Sequence, residues 1–230
     1  MFTSGRMFIA ATALLVSSAV AMPVQAAIRY VNAARPNDSG DGLTWATAER
    51  TLQAALQVAG FGDQIRVAAG TYEPDQGPGI TPGNRLAKFQ LESGVAIYGG
   101  FAGTETLLAQ RDVAANPTIL SGDLNSNDIG FTNNGENSFH VASATGTTAA
   151  ALLDGFTVTG GNANGAFPND NNGGLELDTG HATIRRCVFR GNSAAQTGGG
   201  LAAGNSNSSI TDCVFSGNRA TFGGGVRFSF

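Results

Sequence analysis

A chain of 230 residues is long enough for one domain with its own core, or for an elongated array of small units. With 33 glycines, only 13% charged residues and a formal net charge of -4, it suits many short strands joined by tight turns rather than long solvated helices. No basic footprint is present, which argues against nucleic acid and anionic membrane surfaces as partners.

The first segment, "MFTSGRMFIAATALLVSSAVAMPVQAA", sets Arg6 ahead of an apolar run that exits through small residues, the layout of a secretory signal. Val24 and Ala26 suit the positions a signal peptidase inspects, so residues 1–26 are expected to be removed, leaving 27–230 as the folded domain. Pro23 and the small-residue exit argue against a membrane anchor, and no later segment reads as a transmembrane helix.

Next comes "IRYVNAARPNDSGDGLTWATAERTLQAALQVAGFGDQIRVAAGTYEP", which holds the one convincing helix. Leu52, Ala55, Leu56 and Ala59 recur at helical spacing, with Thr47 placed to cap the start and Gly60 to end it in a left-handed conformation. The flanking runs "IRYV" and "QIRVAAGTY" alternate apolar and polar residues and read as strands. Beyond them, "VAIYGGF", "TILSGD", "SFHVA", "LLDGFTVTGG", "GGLELD", "ATIRRCVFRGN", "GGGLAAG", "SITDCVFSGN" and "GGGVRF" are each too brief for a helix and bounded by turn residues. An all-β fold follows.

The later runs repeat. Ile184 and Ile210, Cys187 and Cys213, Phe189 and Phe215, and Asn192 and Asn218 are each 26 apart, and Gly198 and Gly223 are 25 apart. An earlier copy, "LLDGFTVTGGNA", sets Phe156, Val158 and Asn162 in the places of Cys187, Phe189 and Asn192. A period in the twenties with no helix inside it indicates a solenoid of stacked strands. Equivalent positions in successive coils then lie roughly 4.8 Å apart, and like residues form columns. Val158, Phe189 and Phe215 are expected to stack inside, and Asn162, Asn192 and Asn218 to form an amide ladder at a bend.

The pattern "CVFRGN…GGG" and "CVFSGN…GGG" resembles the repeats of chlamydial polymorphic outer membrane proteins and related bacterial surface proteins. "GDQIRVAAGTY" with its preceding helix, "VAIYGGFAGTET" and "NPTILSGD" are similar to the opening of secreted right-handed parallel β-helix proteins of the pectate-lyase-like superfamily. The resemblance covers nearly all of residues 28–230. It implies a right-handed parallel β-helix solenoid whose short N-terminal helix caps the first coil, and it leaves function open among lyases, glycosidases, adhesins and autotransporter passengers.

Candidate site residues come from the columns. If Phe139, Leu175, Leu201 and Val226 point inward in equivalent strands, then His140, Glu176, Ala202 and Arg227 form an outward column with His140 beside Glu176. A second column holds Asp154, Arg185 and Thr211, with Gly155, Arg186 and Asp212 alongside; Asp154 is expected near Arg185, and Arg186 near Asp212. A lyase acting on uronic sugars needs a base and a positive charge that steadies the anion, so Glu176, His140, Arg185 and Arg186 are the catalytic candidates. Otherwise the arginines make surface ion pairs worth at most about 1 kcal/mol each.

For Ca2+, "GDLNSNDIG" offers Asp123, Asn125, Asn127 and Asp128 at the alternating spacing that begins a calcium loop. Asp128 stands where such a loop takes glycine, and Asn134 where it takes its last glutamate. Asp170 sits in "GNANGAFPNDNNGG", which reads as an inserted surface loop. Stacking brings the Cα atoms of Cys187 and Cys213 within disulfide range, but parallel side chains hold the Cβ atoms farther apart than the usual ~3.8 Å, so two buried thiols are expected. Neither His140 nor His181 falls at ligand spacing from them, and no nucleophile elbow or triad is present.

After "GGGVRF" only Ser229 and Phe230 follow, so the last coil is expected to be uncapped: continued in a longer protein, open to oligomerisation with a second copy, or ending on an aromatic that serves outer-membrane handling and resembles the terminal Phe of outer-membrane proteins. The expected molecule is secreted or displayed at the cell surface or outer membrane as a non-catalytic adhesin or stalk that meets a glycan or a protein. The alternative is a polysaccharide lyase or glycosidase acting on acidic glycans.

Overall fold

A computed structural model describes Met1 and residues 26–148 and 151–229. All but the two ends of the expected signal segment, residues 1–26, lie outside the described residues.

Three sheets carry the fold, each built from parallel neighbours. The first stacks β1 (Ile28–Val31), β2 (Gln64–Ala68), β5 (Ala96–Phe101), β8 (Ala151–Asp154), β12 (Ala182–Arg185) and β16 (Ser209–Thr211). The second stacks β3 (Gly70–Tyr72), β6 (Thr118–Ser121), β9 (Thr157–Thr159), β13 (Val188–Arg190) and β17 (Val214–Ser216). The third stacks β4 (Phe89–Gln90), β7 (Ala142–Ser143), β11 (Leu175–Glu176), β15 (Leu201–Gly204) and β18 (Val226–Ser229). A short ladder joins β10 (Asn162–Ala163) to β14 (Ser193–Ala194). The chain visits the sheets in turn and returns one layer on, as the repeat requires.

The repeat sets this register because a slip of one residue would turn the apolar set outward. Val158 aligns with Phe189, and Phe189 with Phe215. The two phenylalanine rings stack 4.9 Å apart and nearly parallel, Phe189 inside one continuous apolar core and half-buried Phe215 packed against its end. At the following corner Gly160, Gly191 and Gly217 take φ of 73°, 64° and 61°, a left-handed region open to glycine at little cost, which explains the recurring Gly before the bend.

Two alignments shift. The register that pairs Val158 with Phe189 goes on to pair Asn162 with Ser193, so Asn162 is not in the amide ladder. Gly161 stands one place before it, and its N–H donates to Asn192 Oδ1 at 3.0 Å. In the third sheet Ala142, not Phe139, aligns with Leu175, which puts Ser143 rather than His140 beside Glu176 in the outward column. Phe139 instead lies under the Arg85 guanidinium, 4.1 Å from ring centre, because the chain before β7 is a connection rather than a strand.

The helix α1 (Leu52–Val58) forms with Leu52, Ala55 and Leu56 in the core, and it contacts β1 and β4, the first strands of the first and third sheets. Its cap is Thr51, whose hydroxyl accepts from Ala54 N–H, while Thr47 ends a preceding 3-10 turn over Trp45–Thr47. Asp38 holds Thr51 in place through both its backbone N–H and its hydroxyl. The helix stops at an extended Ala59, and Gly60 is not left-handed, because Asp63 captures the Gly60 N–H at 2.9 Å and turns the chain. No helix among the described residues is long and apolar enough to cross a membrane.

Candidate functional site

The outer face of the third sheet gathers the most varied chemistry. Alternation along β11 buries Leu175 and turns Glu176 outward, where Oε2 accepts from Lys88 Nζ at 2.8 Å and from Ser143 Oγ at 3.1 Å. Asp178 follows two residues later. A groove of about 200 Å³ opens here, lined among others by Glu176, Asp178, Asn171, Asn172, Phe167 and Arg227. Its rim is the loop between β10 and β11, on which Phe167 is 83% exposed.

That loop is tied to the coils at its base. Asn171 Oδ1 accepts from Thr197 Oγ1 at 2.7 Å, Asn172 N–H donates to the Thr197 carbonyl, and Asn164 Oδ1 accepts from Arg85. The Asn172 carbonyl lies 2.9 Å from Nδ1 of buried His140, and a carbonyl only accepts, so Nδ1 carries the proton. His140 thus supports the rim of the groove from beneath, and its field still reaches both carboxylates.

Those carboxylates are driven apart. Burial pushes Glu176 up, but Lys88, His140 and Ser143 outweigh it and hold the carboxyl below its ordinary value. Burial and the neighbouring Glu176 charge raise Asp178. Lys88 was missed as a site residue; its signal was being the single lysine of the chain, two residues before an outward position of β4.

Arg185 and Arg186 do not join this site. Both lie at the corner between the first and second sheets, bound to Asp154, which is fully buried. Arg185 reaches Oδ2 through Nε and Nη2 at 3.0 and 2.6 Å; Arg186 reaches Oδ1 and Oδ2 at 2.8 and 2.6 Å. Arg111, unseen in the sequence, adds a third contact at 2.9 Å and also donates to the Gly99 and Asp154 carbonyls. Arg186 holds φ of 51°, and the aligned Gly155 and Asp212 take 86° and 53°, so the corner itself imposes the left-handed backbone while two bonds to Asp154 fasten the Arg186 side chain. The expected Arg185–Asp154 pair is thus part of one network around a buried carboxylate, and Arg186 stays beside Asp212, whose charge it feels, while its bonds go to Asp154.

Of the calcium candidates, Asp123 and Asp128 come together, and their third partner is Glu136, with ligand atoms within 4.8 Å of one another. Asn125 and Asn127 are exposed, and the Asn127 backbone N–H donates to Asp123 Oδ1 at 3.1 Å. The two cysteines are free, with Cys187 buried and Cys213 half-buried. Burial holds the Cys187 thiol well above its ordinary pKa, and the adjacent Cys187 thiol lowers that of Cys213.

No protein-family model matches this chain, and no curated protein or solved structure does. What the third-sheet face can do is therefore set by its own chemistry. Its carboxylates and asparagine amides accept and donate to hydroxyl groups, and Phe167 offers an apolar plane. Its two carboxylates face the cations Lys88 and Arg227, so neither sign dominates the groove.

Proposed function

We propose that this protein is an exported right-handed parallel β-helix, its first coil capped by α1, that works as a non-catalytic stalk binding a neutral glycan in the third-sheet groove. The observation that carries this reading is the pairing of exposed Phe167 with a shallow polar groove of about 200 Å³, below the roughly 300–1,000 Å³ of enclosed small-molecule sites. Glu176 is engaged by Lys88, which suits a fixed acceptor of hydroxyl protons better than a free catalyst. Export rests on the signal-like first segment, and display at a surface on the repeats that resemble polymorphic outer membrane proteins.

One observation favours a second reading, a glycosidase. Two carboxyl groups near one groove, one raised and one lowered, match the division of labour between a general acid, Asp178, and a base or nucleophile, Glu176. The lyase version is weakened, since Arg185 and Arg186 serve Asp154 on another face.

The test is a glycan-array screen of the purified protein with neutral and acidic oligosaccharides, alongside assay of released reducing ends. Binding of a neutral glycan that is lost in Phe167→Ala, with an unchanged melting temperature, supports the stalk. Release of product that disappears in both Asp178→Asn and Glu176→Gln replaces it with the glycosidase. Binding confined to acidic glycans and indifferent to Phe167→Ala refutes the proposed groove.

A further inference from the structure

The loop from β6 to β7 carries a cluster that the glycan groove does not use. Asp123, Asp128 and Glu136 place three carboxylates within 4.8 Å of one another. Three oxygens there are buried and have no hydrogen-bond donor among the described residues: Asp128 Oδ1, Glu136 Oε1 and Asn137 Oδ1. Asn137 is 1% exposed, and its carboxamide reaches into the cluster, with Nδ2 donating to Asp128 Oδ2 at 2.7 Å and to the Gly160 carbonyl at 2.6 Å. Those two bonds fix the amide orientation and leave Oδ1 as a free acceptor.

Buried acceptors without donors are costly, and more so when charged. A water molecule has two protons for three such oxygens and no charge to offset three carboxylates. Arg85 feels the Glu136 charge but makes no ion pair with the cluster; its Nε and Nη2 donate to the Asn137 and Asn162 carbonyls and to Asn164 Oδ1.

We propose that Asp123, Asp128, Glu136 and the Asn137 carboxamide oxygen form a Ca2+ site. All the donors are oxygens, three carboxylates and a neutral amide, with no His or Cys, which selects a hard cation over zinc or copper. The ligands come from an irregular loop, which suits the flexible coordination of Ca2+ better than the strict octahedron of Mg2+. Asp123 and Asp128 also line a broad groove of about 600 Å³ outside the second sheet, which is the path of entry. Bound there, Ca2+ closes the loop on itself, joining Asp123 and Asp128 to Glu136 and Asn137, and steadies Phe131, whose ring lies 4.1 Å from the Arg219 guanidinium near the last coil.

The experiment titrates CaCl2 into the EGTA-treated full chain by calorimetry and follows thermal unfolding in Ca2+ and in EGTA. One site is expected, and at a Ca2+ concentration of 100 Kd the folding constant rises about 100-fold. Asp128→Asn and Glu136→Gln should each lose this rise yet melt in EGTA no lower than the unaltered chain, since each removes a like-charge repulsion; Asp170→Asn should keep it. The proposal is overturned if millimolar Ca2+ gives neither heat nor a melting shift, if Mg2+ gives an equal response, or if the two variants keep the Ca2+ effect.

Discussion

Replacing Asp154 by Asn removes the negative charge from the centre of three guanidinium groups while preserving shape. The side chain of Arg111 is 6% exposed, so the substitution leaves a nearly buried cation without its counter-ion, a loss of about 3–5 kcal/mol. Arg185 and Arg186 are 42% and 46% exposed, and water screens them, so each adds at most about 1 kcal/mol. Because the three share one acceptor, the contributions do not add, and Asp154→Asn should cost about 3–5 kcal/mol against about 0.2–1 kcal/mol for Arg185→Ala. Urea unfolding followed by circular dichroism at pH 7 reads both differences. The pH dependence has a definite sign. Burial tends to raise the Asp154 pKa, but Arg186, Arg185 and Arg111 outweigh it and lower it, so its contribution is complete above the ordinary carboxyl range near 4 and disappears as pH falls through the lowered folded value. The gap between the native protein and Asp154→Asn should therefore narrow only in strong acid. A loss under about 1 kcal/mol, or an equal loss in Arg185→Ala, would refute the assignment of a buried network.

Asn192→Ala should cost about 1–3 kcal/mol, because it strands the Val158 carbonyl and the Gly161 N–H, bonded at 2.9 and 3.0 Å in the native protein; an unchanged urea midpoint would count against the ladder. In the folded protein a thiol reagent should modify Cys213 before Cys187, with both reacting after denaturation; a disulfide in the purified protein would contradict the separate thiols. Terminal sequencing of the exported product should begin at Ala27, and recovery of the intact first segment would remove the support for export.

The repeat was legible because it is itself the packing rule. A stacked coil needs like residues at like positions, so Phe189 over Phe215 and Asn192 over Asn218 could be read from spacing alone, and both pairs form. Where coils differ in length, spacing lost its meaning. Asn162 fell one place out of line, and His140 fell out of the Glu176 column, because only backbone pairing decides how an irregular connection is absorbed.

Sequence by itself determined the strand-rich class, the stacking of the last coils, one short helix and the residues that carry charge. Tertiary structure decided the company those charges keep. Arg111 reaches Asp154 across 43 positions of chain, Lys88 reaches Glu176 across 88, and Glu136 joins Asp123 and Asp128 from the far end of a loop. In a solenoid the neighbour one layer away is as close as the next residue along the strand, but its position in the sequence depends on every insertion between. The apolar columns tolerate no such freedom, since the core must stay dry, whereas polar side chains on the outer faces find partners wherever the coils bring them.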